Sequence, residues 1–344
     1  MRRRSSSVPV RPLFPYPRGD EGGPFQPATH AKIIWPAMMI SPSKRVTRGA
    51  GLVVVLLAFL WIGFFNWHVV ADKLPYGRVK MQEVPDPSKL DKVLVLGKMP
   101  NEDVSWTHNL KQWTPFVYTM GKRPERGYIL RPPSLQGREA VVYLSFIIDY
   151  YDALPNMTAF VHAGREQWHN SELGPWTGTI LENLRADTVR RRGYVNLRCE
   201  HDPGCPDDVH PKHPTQSDID GDDIRAHFAD VYMELFNVSR ADIPEHLGHQ
   251  CCAQFVVTRD RIRERSREDY VRMRRWAMTQ TVTTSFNAGW VFEKTWHVIF
   301  GMPPQYCPAP DVCKCELFGW CGVPKGGIKS LPSDHKGIKG KQKL

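Results

Sequence analysis

The sequence predicts an α/β fold: a mainly parallel sheet flanked by helices, a helical and disulfide-tied C-terminal portion, and one transmembrane helix in front. Three observations carry this. Short apolar runs alternate with helical periodicity between Lys92 and Cys199, the chain beyond Ile224 is largely helical in pattern, and a charge-free apolar run occupies Gly49 to Phe65.

Lys92 to Lys98 (KVLVLGK) has the short continuous apolar core of a buried strand, and Phe116 to Thr119 supplies a second. From Gly137 to Asp152 the apolar residues Ala140, Val141, Leu144, Ile147, Ile148 and Tyr151 recur at steps of three and four, which predicts a helix ending before Leu154-Pro155. Met157 to Gly164 and Gly193 to Cys199 read as the third and fourth strands. Strand, helix, strand at this spacing implies right-handed crossovers, with ligands binding beyond the strands' carboxyl ends. Further on, helices are expected over Ile224 to Phe236, Arg259 to Met278 and Trp290 to Phe300, with a strand-like segment in HQCCAQFVVTRDRI.

The run from Gly49 extends through Trp67 to Val70, and about 20 residues at 1.5 Å per residue span a hydrocarbon core of about 30 Å. A buried core helix and a cleaved signal peptide are the alternatives, but a signal peptide starting so far in, without a small-x-small cleavage site, is unusual. Lys44, Arg45 and Arg48 precede the run, so the positive-inside rule puts the N-terminus in the cytosol. The organisation expected is a disordered cytosolic tail over 1–48, a signal anchor over 49–70, a Pro-containing stem over 71–89, a lumenal domain over 90–322 and a basic disordered tail over 323–344. The formal charge of +10 gathers at the two ends, and a lumenal domain does not meet nucleic acid.

All eight cysteines (Cys199, Cys205, Cys251, Cys252, Cys307, Cys313, Cys315, Cys321) follow the apolar run, as an oxidising compartment predicts. Their connectivity stays open, with Cys199–Cys205 and a link from Cys251 or Cys252 to the terminal group as the first pairings to test. Zinc in CPAPDVCKCELFGWC is the alternative, but the spacing matches no standard ribbon. The sequons at Asn156 and Asn237 fall on the same side.

Four stretches carry candidate chemistry. HAGREQWHN follows the third strand, so His162, Arg165, Trp168, His169 and Asn170 could stack on and hydrogen-bond a polar ligand, or serve as packed scaffold. Glu200 and Asp202 form an acidic x-acidic pair after the fourth strand, the pattern that holds a divalent metal against a diphosphate; Asp218 to Asp223 suits helix capping better. Arg259 and Arg263 open an Arg-rich helix and are candidates to grip a phosphate or diphosphate, against the plainer reading of an exposed ion-paired face. In GWVFEKTWHVIFG, Glu293 and His297 stand four apart, a carboxylate beside an imidazole that would serve as general base tuned by His297 or as a structural pair, and Trp296 between them is a candidate to stack a sugar ring. The sequence has no P-loop, dinucleotide fingerprint, nucleophile elbow or HExxH.

The stretches GREAVVYLSFIIDYYDALPNMTAFVHAGREQWHN, LRCEHDPGCP, CCAQFVVTRDRI and FEKTWHVIFG, in that order, resemble the largely fungal domain of unknown function 3431 family across about Leu90 to Cys321. An Ala-Gln-Phe strand leading into an Arg-containing helix, followed by a Glu on a later apolar helix, is also similar to membrane-tethered, type II glycosyltransferases of the A-type fold, a Rossmann-like architecture. That second likeness implies Glu293 as base, Arg259 or Arg263 as diphosphate contacts, and a nucleotide sugar and a glycan acceptor as partners. A divalent metal such as Mn or Mg and metal-independent transfer are both compatible with it. The expectation is a Golgi- or endoplasmic-reticulum-resident transferase; the competing class is a non-catalytic lumenal or cell-surface carbohydrate-binding protein on the same scaffold.

Protease added to sealed microsomes should remove only the tail over 1–48, and endoglycosidase should lower the mass if Asn156 or Asn237 is used. A protected N-terminus with a digested remainder would reverse the topology.

Overall fold

The computed structural model describes residues 83–170 and 173–322. The segments expected to form the signal anchor, the cytosolic tail and the C-terminal tail, and most of the expected stem, lie outside the described residues, among which no helix is long and apolar enough to cross a membrane.

Strands β1 (Lys92–Lys98) and β2 (Thr114–Thr119) are followed by helix α1 (Arg138–Asp149) and strand β3 (Met157–His162). Helices α2 (Thr177–Asn183) and α3 (Ala186–Arg192) lead to β4 (Tyr194–Asn196). Helices α4 (Gln216–Asp220) and α5 (Phe228–Phe236) precede β5 (Gly248–His249), β6 (Phe255–Thr258) and helix α6 (Arg259–Arg263). The chain continues through α7 (Arg267–Thr279), α8 (Ser285–Glu293), α9 (Trp296–Ile299), β7 (Gln305–Tyr306) and α10 (Pro310–Phe318).

The main sheet has the order β2-β1-β3-β6-β4. Its β1–β2 and β1–β3 pairings are parallel, but β6 runs antiparallel to both β3 and β4. The sheet is therefore mixed, which corrects the mainly parallel sheet expected from sequence. Between β4 and β6 the chain passes through α4 and α5 and then through β5 of a second, two-stranded sheet with β7, so β6 enters the main sheet from that side and not by the direct helical crossover that makes βαβ units parallel.

Every apolar position of β1 is buried, because both faces of the sheet are covered. Val93 and Val95 face a layer with Tyr143, Phe146, Phe255 and Trp296, while Leu94 and Leu96 face one with Trp106, Ile180, Val189 and Leu317.

The Arg-rich helix expected over Arg259 to Met278 is two helices. Ser266 accepts from the Asp269 amide at 3.2 Å and caps α7, so the chain re-initiates there. The helix expected over Trp290 to Phe300 is also divided, into α8 and α9. Asp218 completes a capping box with Thr215, and Asp223 accepts from the Arg225 amide, so the acidic run does cap helical turns.

All eight cysteines are paired: Cys199–Cys313, Cys205–Cys307, Cys251–Cys252 and Cys315–Cys321. The pairings expected first, Cys199–Cys205 and Cys251 or Cys252 to the terminal group, are not those formed. Cys199 leaves β4 into the layer covered by α10, where it meets Cys313. Cys205 lies beyond a turn that approaches the β5 strand so closely that a Cβ on Gly248 would meet the Pro206 carbonyl at 1.6 Å. Two long-range bridges thus fasten the C-terminal segment to the strand-end region of the sheet.

Non-reducing peptide mapping should recover these four pairs. Loss of one native bridge typically costs about 2 to 5 kcal/mol, so Cys199→Ser should lower the denaturation midpoint strongly, whereas a Cys199–Cys205 peptide would overturn the layer assignment.

Candidate functional site

Because β1, β2, β3 and β4 share one direction, their carboxyl ends lie on one edge of the sheet, and the antiparallel β6 begins at that same edge. The HAGREQWHN loop emerges there from β3. Its backbone folds back on itself through Gln167 N to Pro175 O at 2.9 Å and Thr177 N to Arg165 O at 3.0 Å, and Ala163 O accepts from Trp106 Nε1 at 2.9 Å.

Gln254, fully buried just before β6, pins this loop from below. Its Nε2 donates to Asn170 Oδ1 at 2.7 Å and its Oε1 faces His169 Nε2 at 2.9 Å. Asn170 Nδ2 donates onward to Thr177 Oγ1 at 3.0 Å, which fixes the orientation of both amides. His169 must therefore carry its proton on Nε2, leaving Nδ1 as a bare acceptor. That atom is buried and has no protein partner. Burial, then the His162 ring 5.2 Å away, pushes the His169 pKa down to about 4, so the imidazole is neutral at physiological pH.

Arg198, just past β4, is the second support. It donates from Nη1 to His169 O at 2.9 Å and from Nη2 to Asp202 O at 2.6 Å, and its guanidinium lies 5.5 Å from the Trp168 ring centre. Arg198 and Gln250 line a cavity of about 10 Å³, room for one water. Trp168 is 72% exposed, an indole held out to solvent on a buried polar frame. Arg165 lies 4.4 Å from the Trp176 ring centre, against the loop's far limb.

The structure thus brings His162, Trp168, His169 and Asn170 together, with Arg165 in the same loop. It also supplies Arg198 and Gln254, which sequence reading missed. A lone glutamine between Ala253 and the apolar FVV run was the available signal, since a buried amide needs specific partners.

The other candidates lie elsewhere or are otherwise engaged. Glu200 is ion-paired with Lys314, and Asp202 contributes its carbonyl to Arg198. Among the described residues no group of three or more His, Cys, Asp or Glu is placed to hold a metal ion. Arg259 and Arg263 stand at the opposite edge, because β6 runs away from the loop; Arg263 is spent on the carbonyls of Tyr151 and Asp152.

Trp296, expected to stack a sugar, is only 1% exposed and packs on Tyr143, Phe255 and Phe292 in the core. His297 donates from Nε2 to Pro304 O at 2.9 Å and stacks on His249 at 4.5 Å. Burial pushes its pKa down to about 4. Glu293 is instead 2.9 Å from Lys294 Nζ, which also reaches Asp208 at 2.6 Å. Burial alone would lower the Lys294 pKa, but those two carboxylates raise it above its ordinary value and keep it protonated. Both sequon residues, Asn156 and Asn237, are exposed.

These features define an α/β domain with a mixed five-stranded sheet, a polar and aromatic cluster at its strand-end edge, and a disulfide-fastened C-terminal segment. The chain matches the family model described as "Protein of unknown function (DUF3431)" over residues 94–316, well over half of its length, and it belongs to that family. No curated protein and no solved structure matches it.

The buried neutral histidines make stability fall with acid. Their folded pKa values lie below the unfolded value near 6.5, so their contribution is complete above about pH 6.5 and is lost as pH drops through about 4. Each should add about 1 kcal/mol per pH unit to the slope in that window. Denaturation midpoints followed from pH 7 to 4 should show it, and an imidazole NMR titration placing His169 near 6.5 would refute the buried neutral assignment.

Proposed function

We propose that this protein is a lumenal, membrane-anchored, glycosyltransferase-like enzyme whose sugar ligand docks on the strand-end edge at Trp168. One observation carries the reading: an exposed indole stands beside an unpartnered, buried acceptor, His169 Nδ1, on a frame fixed by Gln254 and Arg198. A pyranose presents a C–H face that stacks on an indole, and the 72% exposed Trp168 ring offers such a surface on a fixed polar frame. The edge is also where α/β sheets bind their ligands.

In such a transfer the bond from the anomeric carbon to the donor's phosphate oxygen breaks, and its electron pair leaves on that oxygen. The acceptor hydroxyl oxygen forms the new bond and gives its proton to a base. Glu293 is the candidate base suggested by sequence. Its engagement with Lys294, in a pocket closed by Asp208, His249 and Cys251, favours a second reading, a carbohydrate-binding protein without turnover.

Incubating the protein with nucleotide sugars and with free oligosaccharides, while following thermal stability and product release, separates the two. A ligand bound only by the folded state raises its stability. Trp168→Ala should abolish the sugar-dependent shift while changing intrinsic stability by no more than about 0.5 kcal/mol, as expected for an exposed side chain. Glu293→Gln should lower turnover about 100- to 10,000-fold if Glu293 is the base. Shifts with oligosaccharides, none with nucleotide sugars and no product would establish the binding reading; no shift with any sugar would end both.

A further inference from the structure

At the edge of the sheet opposite Trp168 lies a cavity of about 470 Å³, lined by Arg190, Arg191, Arg259 and Arg261 together with Asp91, Asp260 and Glu264. It sits beside the amino ends of β3 and β4, at Met157 and Gly193, and the carboxyl end of β6, at Thr258. Its volume falls within the range of about 300 to 1,000 Å³ typical of small-molecule sites.

The arginines come from two elements that the reversed β6 brings together: the last turn of α3 and the whole of α6. Their anionic neighbours hold them unevenly. Asp91 accepts from Asn156 Nδ2 at 3.0 Å and stands 3.9 Å from Arg190, while Asp260, itself 92% exposed, is 3.8 Å from Arg259. Arg191 is tied at 2.7 Å to Asp187, and Arg261 at 2.6 Å to Glu264. A guanidinium has five N–H donors, so single contacts at 3.8 and 3.9 Å leave most of the capacity of Arg190 and Arg259 unused.

Arg261 adds a sharper sign. Its Nε is buried without a protein partner. The guanidinium lies across Gly193, where φ is +76° and a Cβ would come within 2.6 Å of that same nitrogen, so the glycine makes the room the arginine uses. Four guanidinium groups line one cavity against the carboxylates of Asp91, Asp260 and Glu264, two of them only loosely paired, an arrangement suited to a multivalent oxyanion because guanidinium groups bind phosphate oxygens bidentately.

We propose that this cavity is a second binding site, taking a phosphate-class anion through Arg190, Arg191, Arg259 and Arg261. It is separate from the Trp168 edge and does not depend on the sugar-handling reading. The anion's source is either a soluble phosphate or diphosphate, or the headgroup of a phosphorylated lipid, and the chemistry of recognition is the same.

The test uses the full-length protein in neutral detergent, with its glycans trimmed because Asn156 lines the cavity. Inorganic phosphate and pyrophosphate are titrated at constant ionic strength against chloride, and dihexanoyl phosphatidic acid against dihexanoyl phosphatidylcholine, with calorimetry and thermal midpoint as readouts. Saturable binding of pyrophosphate supports the site with a soluble source; saturable binding of phosphatidic acid alone supports it with a lipid source. The Arg190→Gln, Arg259→Gln double variant should bind at least about tenfold more weakly. Arg190→Gln alone, at a side chain 57% exposed, keeps the test valid if the double variant fails to fold, and it should weaken binding measurably. No probe exceeding its control, or variants that bind like the parent, would overturn the proposal.

Discussion

The antiparallel setting of β6 between β3 and β4 is the constraint on which the rest of the described domain depends. It places Gln254 at the edge where the other four strands end, and Arg259 and Arg261 at the edge where those strands begin. Had β6 run parallel, the buried amide and the arginines would have exchanged edges. One choice of strand direction therefore separates an aromatic and imidazole cluster from a guanidinium cluster along the length of the strands.

Gln254 turns that placement into rigidity. It has zero exposure, and an unpaired amide there would cost about 1 to 3 kcal/mol, so its two partners are a condition of burying it. Meeting the condition fixes the His169 tautomer and orients Asn170. The adjacent Cys251–Cys252 bridge, with Cys252 in the left-handed region at φ +74°, leads the chain into this position. Asn196 extends the network, accepting from the Arg198 amide at 2.7 Å and donating to Gln250 O at 2.9 Å. Polar order beneath Trp168 is thus continuous from β3 through β6 to β4.

The C-terminal segment is held by covalent bonds because its own apolar content is modest. α10 buries Cys313, Leu317 and Phe318 on the second layer, and Cys199–Cys313 secures that contact while Cys205–Cys307 secures the strand before it. Glu293 and His297 illustrate how tertiary packing divides residues that sequence spacing unites. The break between α8 and α9 interrupts the helix that would have paired them, so the carboxylate meets Lys294 and the imidazole meets Pro304 O.

By itself the sequence determined the elements whose signal is local. The apolar run of β1, the periodicity of α1 and the loop after β3 were legible because burial on a strand or helix face imposes a short-range pattern. The paired state of the cysteines was legible too, since an even number of them gathered in one part of the chain suits a disulfide framework. Only the tertiary structure decided the direction of β6, the partner of each cysteine and the company kept by Arg198, Gln254, Glu293 and Arg259. These depend on which distant segments become neighbours, and an apolar tetrad such as Phe255 to Thr258 carries the same alternation whichever way it runs.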